Sequence, residues 1–81
     1  MERTRLESKI KDIINDVLII DPDTINETDS IVDLGADSLD CVEIVMECEK
    51  EFRINIDNGE MDSIQTVKDL YDIVERKISK K

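Results

Sequence analysis

Ser38 is the side chain whose position and neighbours are best suited to chemistry. It stands at the predicted start of a helix, directly after Asp37, and a serine at such a place is usually the cap of the helix. Asp37 can cap the helix instead, which leaves the Ser38 hydroxyl free to point outward from the first turn. A phosphate on that oxygen would lie near unpaired backbone N–H groups and the positive end of the helix dipole. Gly35 and Ala36 are small, so the pattern predicts a hydroxyl that an enzyme can approach and modify.

The residue types needed for hydrolysis or metal binding are missing. The chain has no histidine, which excludes Ser-His and Cys-His nucleophile pairs and the commonest general base near neutral pH. Cys41 and Cys48 would lie about 10 Å apart along one helix, too far to bridge each other, and two thiols alone cannot complete a zinc site. Asp21-Pro22-Asp23 has Ile25 where a calcium loop needs its third oxygen ligand, so the two acids are turn residues. We predict no metal site and no enzyme.

Ser38 needs a helical framework, and apolar residues recur every three or four positions in three stretches. The first predicts a helix over residues 4–18, opened by a capping box of Thr4 and Glu7. The second predicts a helix over residues 38–52. The third begins at Thr66, with Asp69 completing a capping box. The apolar stripes of the first and last helices are Leu6, Ile10, Ile13, Ile14 and Val17, and Val67, Leu70, Tyr71, Val74 and Ile78.

The connections between these helices set the fold class. After Asp21-Pro22-Asp23 stops the first helix, a long polar loop continues to Gly35, with Ile25, Ile31, Val32 and Leu34 as its apolar anchors. Asn58-Gly59 marks a turn, and the segment up to Ile64 has room for one or two helical turns. No alternating stretch is long enough for a sheet. We predict an all-α fold, a small four-helix bundle of three main helices and one short helix with a long first loop, as a single domain over residues 1–81.

The second helix predicts two kinds of surface below Ser38. At about 100° per residue, Cys41, Ile44, Val45, Cys48 and Phe52 form a core face, whereas Asp40, Glu43, Glu47 and Glu51 form an acidic face. Leu39, Val42 and Met46 fall between the two, beside the acids. This mixed apolar and acidic strip is either a docking surface or the solvated edge of the core.

The strongly negative net charge of the chain limits which macromolecules it can bind. It has 21 acidic and 11 basic residues, a net charge of -10, and residues 12–49 contain twelve acids without one Lys or Arg. Such a chain repels nucleic acid and anionic lipid, so a basic protein is the expected partner. The longest aliphatic run, residues 17–20, is too short to span a bilayer, and nothing resembles a secretory signal. We expect a reduced, cytoplasmic protein that is a monomer.

The motif around Ser38 closely resembles the signature of the acyl carrier proteins of fatty-acid synthesis. The resemblance rests on residues 35–40 (Gly-Ala-Asp-Ser-Leu-Asp), followed by Val42-Glu43, Val45-Met46 and residues 49–52, and it extends from the first helix through Thr66-Val67. It implies that Ser38 receives 4'-phosphopantetheine from coenzyme A, and that the thiol of this arm carries acyl groups as thioesters. The family fold is a four-helix bundle whose interior shelters the acyl chain.

The resemblance also implies partners and their contact residues. The partners are a phosphopantetheinyl transferase and fatty-acid synthesis enzymes with basic docking patches. The matching contact positions are Asp37, Asp40, Val42, Glu43 and Met46, with Ile56 and Asp62 on the same surface. Leu39 and Glu47 from the strip complete the predicted partner surface.

Three departures from the family pattern lie outside the attachment motif. Ile56 is followed by Asp57-Asn58-Gly59 where many members of the family have Ile-Pro-Asp, which leaves the geometry of the third helix open. Cys48 replaces a core leucine, so we expect a roomier interior there, and Lys50 replaces an acid, which would weaken one partner contact. Two alternative functions remain: a carrier for another pathway, loading an amino acid, an aryl acid or a polyketide intermediate, and an unmodified acidic adaptor.

Overall fold

A computed structural model describes residues 2–80 and contains four α-helices. They are α1 (Arg3–Leu18), α2 (Ser38–Phe52), α3 (Asn58–Asp62) and α4 (Val67–Ser79), and a 3-10 turn (Pro22–Thr24) lies in the long first loop. Within the described residues the only extended pairing is one isolated bridge, between Ser30 and Thr66. The predicted all-α fold, with three main helices, one short helix and a long first loop, is confirmed. The predicted single domain of 1–81 also includes Met1 and Lys81, which lie outside the described residues.

The core is aliphatic and lies where α1, α2 and α4 meet. Most predicted stripe residues are buried, and the loop residues Ile25 and Ile31 close the core from one side. Tyr71 is 1% exposed, and the Arg3 guanidinium lies 5.6 Å from the centre of its ring. Val32 is 67% exposed, so its predicted role as a loop anchor is wrong.

The start of α1 differs from the predicted capping box. The helix begins one residue earlier, and its N-cap is Glu2, which makes no side-chain capping hydrogen bond. Glu7 instead accepts a hydrogen bond of 2.7 Å from Arg3. Arg3 also pairs with Asp72 at 2.9 Å and with Glu75 at 3.2 Å. Contacts with α4, rather than a local cap, therefore organise this end of the helix.

The first helix ends at Leu18, as predicted, but its C-cap is Ile19 rather than a residue of Asp21-Pro22-Asp23. Ile19 adopts the left-handed conformation (φ 55°, ψ 55°) and donates its N–H to the Asn15 carbonyl, and the Asn15 amide donates to the Ile20 carbonyl. Asp21 instead caps the 3-10 turn, which agrees with its predicted role as a turn residue.

The long loop is tied to the start of α4. The N–H groups of Val67 and Lys68 donate to the carbonyls of Asp29 and Glu27, at 3.0 and 2.8 Å. Thr66 and Asp69 form the predicted capping box. The first-turn donors of α4, which a helix leaves unpaired, are therefore satisfied by the loop and the cap.

Asn58-Gly59 is part of α3 rather than a turn. Asp57 caps this helix: its carboxylate accepts a hydrogen bond of 2.7 Å from the Glu60 N–H, and its own N–H donates one of 3.2 Å to the Glu60 carboxylate. Glu60 also pairs with Arg76 at 3.2 Å and Lys77 at 2.7 Å. The capping box closes the start of α3, and the two ion pairs hold α3 against α4.

Candidate functional site

Ser38 is the first residue of α2, and Asp37 is its cap, as predicted. The Asp37 carboxylate accepts a hydrogen bond of 2.8 Å from the Asp40 N–H, and Asp40 accepts one of 3.2 Å from the Asp37 N–H. Ser38 is exposed, and its hydroxyl has no hydrogen-bond partner among residues 2–80. The capping role therefore belongs to Asp37, and the serine oxygen is accessible.

The start of α2 retains free backbone donors, unlike the start of α4. Asp40 donates to its cap, and Cys41 donates to the Asp37 carbonyl at 3.0 Å. The N–H groups of Ser38 and Leu39 have no backbone or side-chain acceptor within the described chain. Such groups and the helix dipole stabilise an anion, so a phosphate on Ser38 fits this position.

Gly35 and Ala36 have different roles from the predicted one of leaving space. Gly35 adopts φ +106°, and a Cβ added there would meet nothing within 4 Å. Its backbone conformation, rather than crowding, therefore favours glycine. Ala36 is 4% exposed and faces the core, so its small side chain serves interior packing.

The predicted strip is exposed along α2. The exposed fractions are 79% for Leu39, 37% for Val42 and 55% for Met46. Glu43 is exposed, and Asp40 and Glu47 are half-buried. The strip therefore presents large apolar groups to solvent beside its acids.

A groove of about 300 Å³ brings residues of α2 and α3 together beside Ser38. Its lining residues are Ser38, Cys41, Val42, Met61, Asp62 and Ile64. Asp62, predicted from the resemblance, therefore lies across the groove from α2. Ile56 lies elsewhere: it is only 9% exposed and belongs to the core, which corrects its predicted place on the partner surface. Its N–H donates a hydrogen bond of 2.9 Å to the Glu49 carboxylate, and the next residue, Asp57, caps α3.

A small apolar cavity lies behind this groove. It has a volume of about 20 Å³ and is lined by Ile31, Cys41, Ile44, Val45, Met61, Ile64 and Leu70. Cys41, Met61 and Ile64 also line the groove, so they form the wall between the two spaces. The sequence interpretation missed Met61, because its position depends on how the short α3 packs.

A second groove extends the acidic face toward α1. It has a volume of about 260 Å³ and is lined by Ile13, Asp16, Val17, Glu43 and Glu47. The helical periodicity placed Ile13 and Val17 on the core stripe of α1, but it could not place Asp16 beside the acids of α2. The acidic surface therefore includes part of both helices.

No described group of side chains could hold a metal ion, and no helix within residues 2–80 is long and apolar enough to cross a membrane.

Both cysteines are free thiols. Burial raises the pKa of the Cys48 thiol to about 12, and burial followed by the charges of Asp40 and Asp37 raises the pKa of Cys41. Both thiols are therefore protonated and weakly nucleophilic at neutral pH.

Known proteins have sequences similar to this one over most of its length. The family profile described as "Phosphopantetheine attachment site" matches residues 8–74. The chain is 39% identical over 77 residues to the acyl carrier protein of Thermotoga maritima, covering 94% of this chain and 95% of that protein. It is 44% identical over 73 residues to the acyl carrier protein of Bdellovibrio bacteriovorus, covering 89% and 94%. This chain belongs to the acyl carrier protein family.

The fold agrees with this family. The crystal structure of the acyl carrier protein from Thermotoga maritima matches with a TM-score of 0.87 and 38% identity, covering 99% of this chain and 94% of that one. Acyl carrier proteins are carriers rather than enzymes, and they hold a covalently attached 4'-phosphopantetheine. An acyl carrier protein interacts with synthesis enzymes and bears an acyl cargo.

The departures from the acyl carrier pattern have mixed outcomes. Asp57-Asn58-Gly59 forms a capped α3. Cys48 is fully buried and does not line the small apolar cavity, which lies beside Cys41. Cys41, rather than Cys48, is therefore the cysteine beside the groove at Ser38.

Proposed function

We propose that Ser38 is the attachment site of the 4'-phosphopantetheine arm, and that the loaded protein serves fatty-acid biosynthesis in the cytoplasm as a monomer. The observation that carries the first part is the division of roles at the start of α2: Asp37 caps the helix, and the Ser38 hydroxyl is exposed and unpaired among the described residues. The free N–H groups of Ser38 and Leu39 would hold the phosphate. When bound, the arm supplies a thiol that carries acyl groups as thioesters.

The test of attachment is the intact mass after incubation with coenzyme A and a phosphopantetheinyl transferase. We expect one arm on the wild type, one on Ser63→Ala and none on Ser38→Ala. Ser63 is a matched control because it is also exposed and close to the end of a helix. An arm on Ser38→Ala would contradict the assignment of the site.

The apolar cavity supports an aliphatic cargo. Its lining consists of aliphatic side chains, Met61 and the Cys41 thiol, so a charged aminoacyl group would lose solvation there without gaining a partner. About 20 Å³ is little more than the space of one water molecule. A chain could therefore enter only if α2 and α3 move apart at the wall formed by Cys41, Met61 and Ile64.

The pathway is tested by the acyl groups carried in the native cell. We expect the protein purified from its own organism to bear saturated and 3-hydroxylated fatty acyl thioesters of several lengths, identified by the mass of the released arm. A uniform aminoacyl or aryl load would favour the alternative carrier function. A protein without any arm would favour the unmodified acidic adaptor.

We propose that the partners are the phosphopantetheinyl transferase and fatty-acid synthesis enzymes, each with a basic docking patch. The proposed contact surface consists of Asp37, Leu39, Asp40, Val42, Glu43, Met46, Glu47 and Asp62. Glu43→Lys should slow arm transfer at low salt, because charges at the edge of an interface steer the encounter. Glu27→Lys makes the same charge change at an exposed position in the first loop and is the control. Equal transfer rates for both variants would contradict this surface.

A further inference from the structure

The exposed charge changes sign along α2. Asp40, Glu43 and Glu47 follow Ser38, whereas Lys50 and Arg53 lie at the other end of the helix. These are the first cations after Lys11, because residues 12–49 contain none. The acids near Ser38 are therefore followed by two exposed cations at the C-terminal end, where Glu51 pairs with Lys9 at 3.0 Å.

Lys50 and Arg53 line a groove on the surface of the protein. The groove has a volume of about 390 Å³ and is lined by Met46, Glu49, Lys50, Arg53, Ile54 and Asn55. The Lys50 side chain is 75% exposed and lies 3.5 Å from Glu47, and an exposed pair of this kind contributes little and is easily exchanged. Arg53 is exposed and forms no ion pair among the described residues.

Glu49 does not neutralise Arg53, although the spacing of four residues would allow a pair. The Glu49 carboxylate instead accepts a hydrogen bond of 2.9 Å from the Ile56 N–H. The backbone of Arg53 is left-handed rather than helical. Lys50 and Arg53 therefore outnumber the one carboxylate, Glu49, that lines this groove, which gives the groove a local excess of positive charge on a strongly acidic protein.

Arg53 holds its place at a conformational cost. It is the C-cap of α2 with φ 55° and ψ 53°, a left-handed conformation that is unfavourable for a non-glycine residue and that glycine usually fills. The position keeps a charged group where glycine would favour the backbone.

A partner of ordinary size that docks on Met46 must meet both ends of the helix. From Asp40 to Arg53 the helix rises about 20 Å, at 1.5 Å per residue. A standard interface covers about 800 Å² on each protein, a patch roughly 30 Å across. Met46 is 55% exposed and lies near the middle of this span. The acids and the cations therefore fall within one interface.

We propose that this face of α2 docks a bipolar protein surface, in which a basic patch meets the acids near Ser38 and at least one carboxylate meets Lys50 and Arg53. The proposal rests on the proposed function and specifies the chemistry of its partner. A protein carboxylate fits better than a lipid or nucleic-acid phosphate, because the net charge of -10 repels an extended anionic surface. Because the acids lie near Ser38 and the cations lie at the C-terminal end of α2, the partner would bind in one orientation along the helix.

The test uses the sign of a charge effect. The probe is the phosphopantetheinyl transferase of the same organism, and the measurement is kcat/KM for arm transfer at low salt. Lys50→Glu and Arg53→Glu are compared with Lys68→Glu, which makes the same charge change at an exposed lysine on α4. If net negative charge alone attracted the partner, all three variants would react faster. We expect kcat/KM to fall about tenfold for Lys50→Glu and Arg53→Glu, and to stay unchanged or rise for Lys68→Glu.

Arg53→Gly separates the charge from the backbone. We expect this variant to melt at a higher temperature than the wild type and still to lose part of kcat/KM. A rise in kcat/KM for Lys50→Glu and Arg53→Glu, or a change equal to that of Lys68→Glu, would overturn the bipolar surface. A wild type that accepts no arm on Ser38 would contradict the proposed function instead, so the two failures are distinguishable.

Discussion

The carboxylate of Asp37 accepts a hydrogen bond of 2.8 Å from the backbone N–H of Asp40, and the carboxylate of Asp40 accepts one of 3.2 Å from the N–H of Asp37. This reciprocal pair closes the start of α2 without using Ser38, which lies between the two residues. Stability at this helix start and chemistry at the serine are therefore carried by different side chains.

The first prediction follows from that division. Asp37→Ala should lower the free energy of unfolding by about 1 kcal/mol, because it removes the cap, which corresponds to a fall in Tm of roughly 4 to 8 °C for a domain of this size. Ser38→Ala should change the free energy of unfolding by less than about 0.5 kcal/mol. Urea unfolding of both variants checks this. A larger loss for Ser38→Ala than for Asp37→Ala would show that the serine is the cap.

Ile19 offers a stabilising substitution. It is 87% exposed and has φ 55°, a conformation that is costly for a β-branched residue. Ile19→Gly should raise the free energy of unfolding by about 1 kcal/mol, after the greater freedom of glycine in the unfolded chain is allowed for. Ile19→Ala is the control, because it shortens the side chain without making the left-handed conformation favourable. Equal melting temperatures for the two variants would contradict this account.

The two cysteines should respond differently to a larger side chain. Cys48 is fully buried and lies outside the cavity lining, so Cys48→Leu should overpack the core and destabilise the protein by about 1 to 3 kcal/mol. Cys41 lines the cavity and the groove, so Cys41→Leu should reduce the rise in Tm that an octanoyl chain on the arm produces. We expect that rise to persist in Cys48→Leu. If Cys48→Leu reduces the rise in Tm and Cys41→Leu does not, the acyl chain lies beside Cys48.

Glu60 should make stability sensitive to acid. Hydrogen bonds from Lys77 and from the Asp57 N–H lower the pKa of its carboxyl to about 2, below the value near 4.3 of an unfolded chain. The unfolded state therefore binds more protons between these two values. The stability due to Glu60 is present in full above about pH 4.3 and is lost as the pH falls through 2.

The variant Glu60→Gln should flatten the loss of stability over this range of pH. Urea unfolding at intervals from pH 5 to pH 2.5 measures it, and Glu27→Gln is the control because Glu27 is exposed and its side chain has no ion pair among residues 2–80. If both variants show the same slope as the wild type, the contacts of Glu60 do not contribute to acid stability.

Salt should stabilise the fold as a whole. Like charges at Asp40 and Glu43 and at Glu43 and Glu47 each cost roughly 0.2 to 0.5 kcal/mol, and only Glu47 gains a nearby cation on α2, from Lys50 at 3.5 Å. At about 0.15 M salt the screening length falls to roughly 8 Å, so the melting temperature should rise across a sodium chloride series. Magnesium should act at lower concentration by bridging carboxylates. A flat response in both series would mean that the ion pairs at the chain ends offset the repulsion.

The sequence by itself determined the features that depend on neighbouring residues. The bounds of α2, the caps at Asp37 and Thr66, and the exposed flank of Leu39, Val42 and Met46 all follow from helical periodicity and from side chains bonding to backbone three residues away. Ser38 could be singled out for the same reason, because its cap and its motif are local.

Only the tertiary structure decided the features that depend on distant parts of the chain. The Arg3 contacts with Asp72 and Glu75 replaced the expected cap of α1. Ile56 is buried in the core, and the placement of α3 brings Met61 to the groove beside Ser38. It also placed the cavity at Cys41 rather than Cys48. Spacing along one helix reports which residues share its face, but a cavity and a groove need two elements, and their relative placement is set by long-range packing.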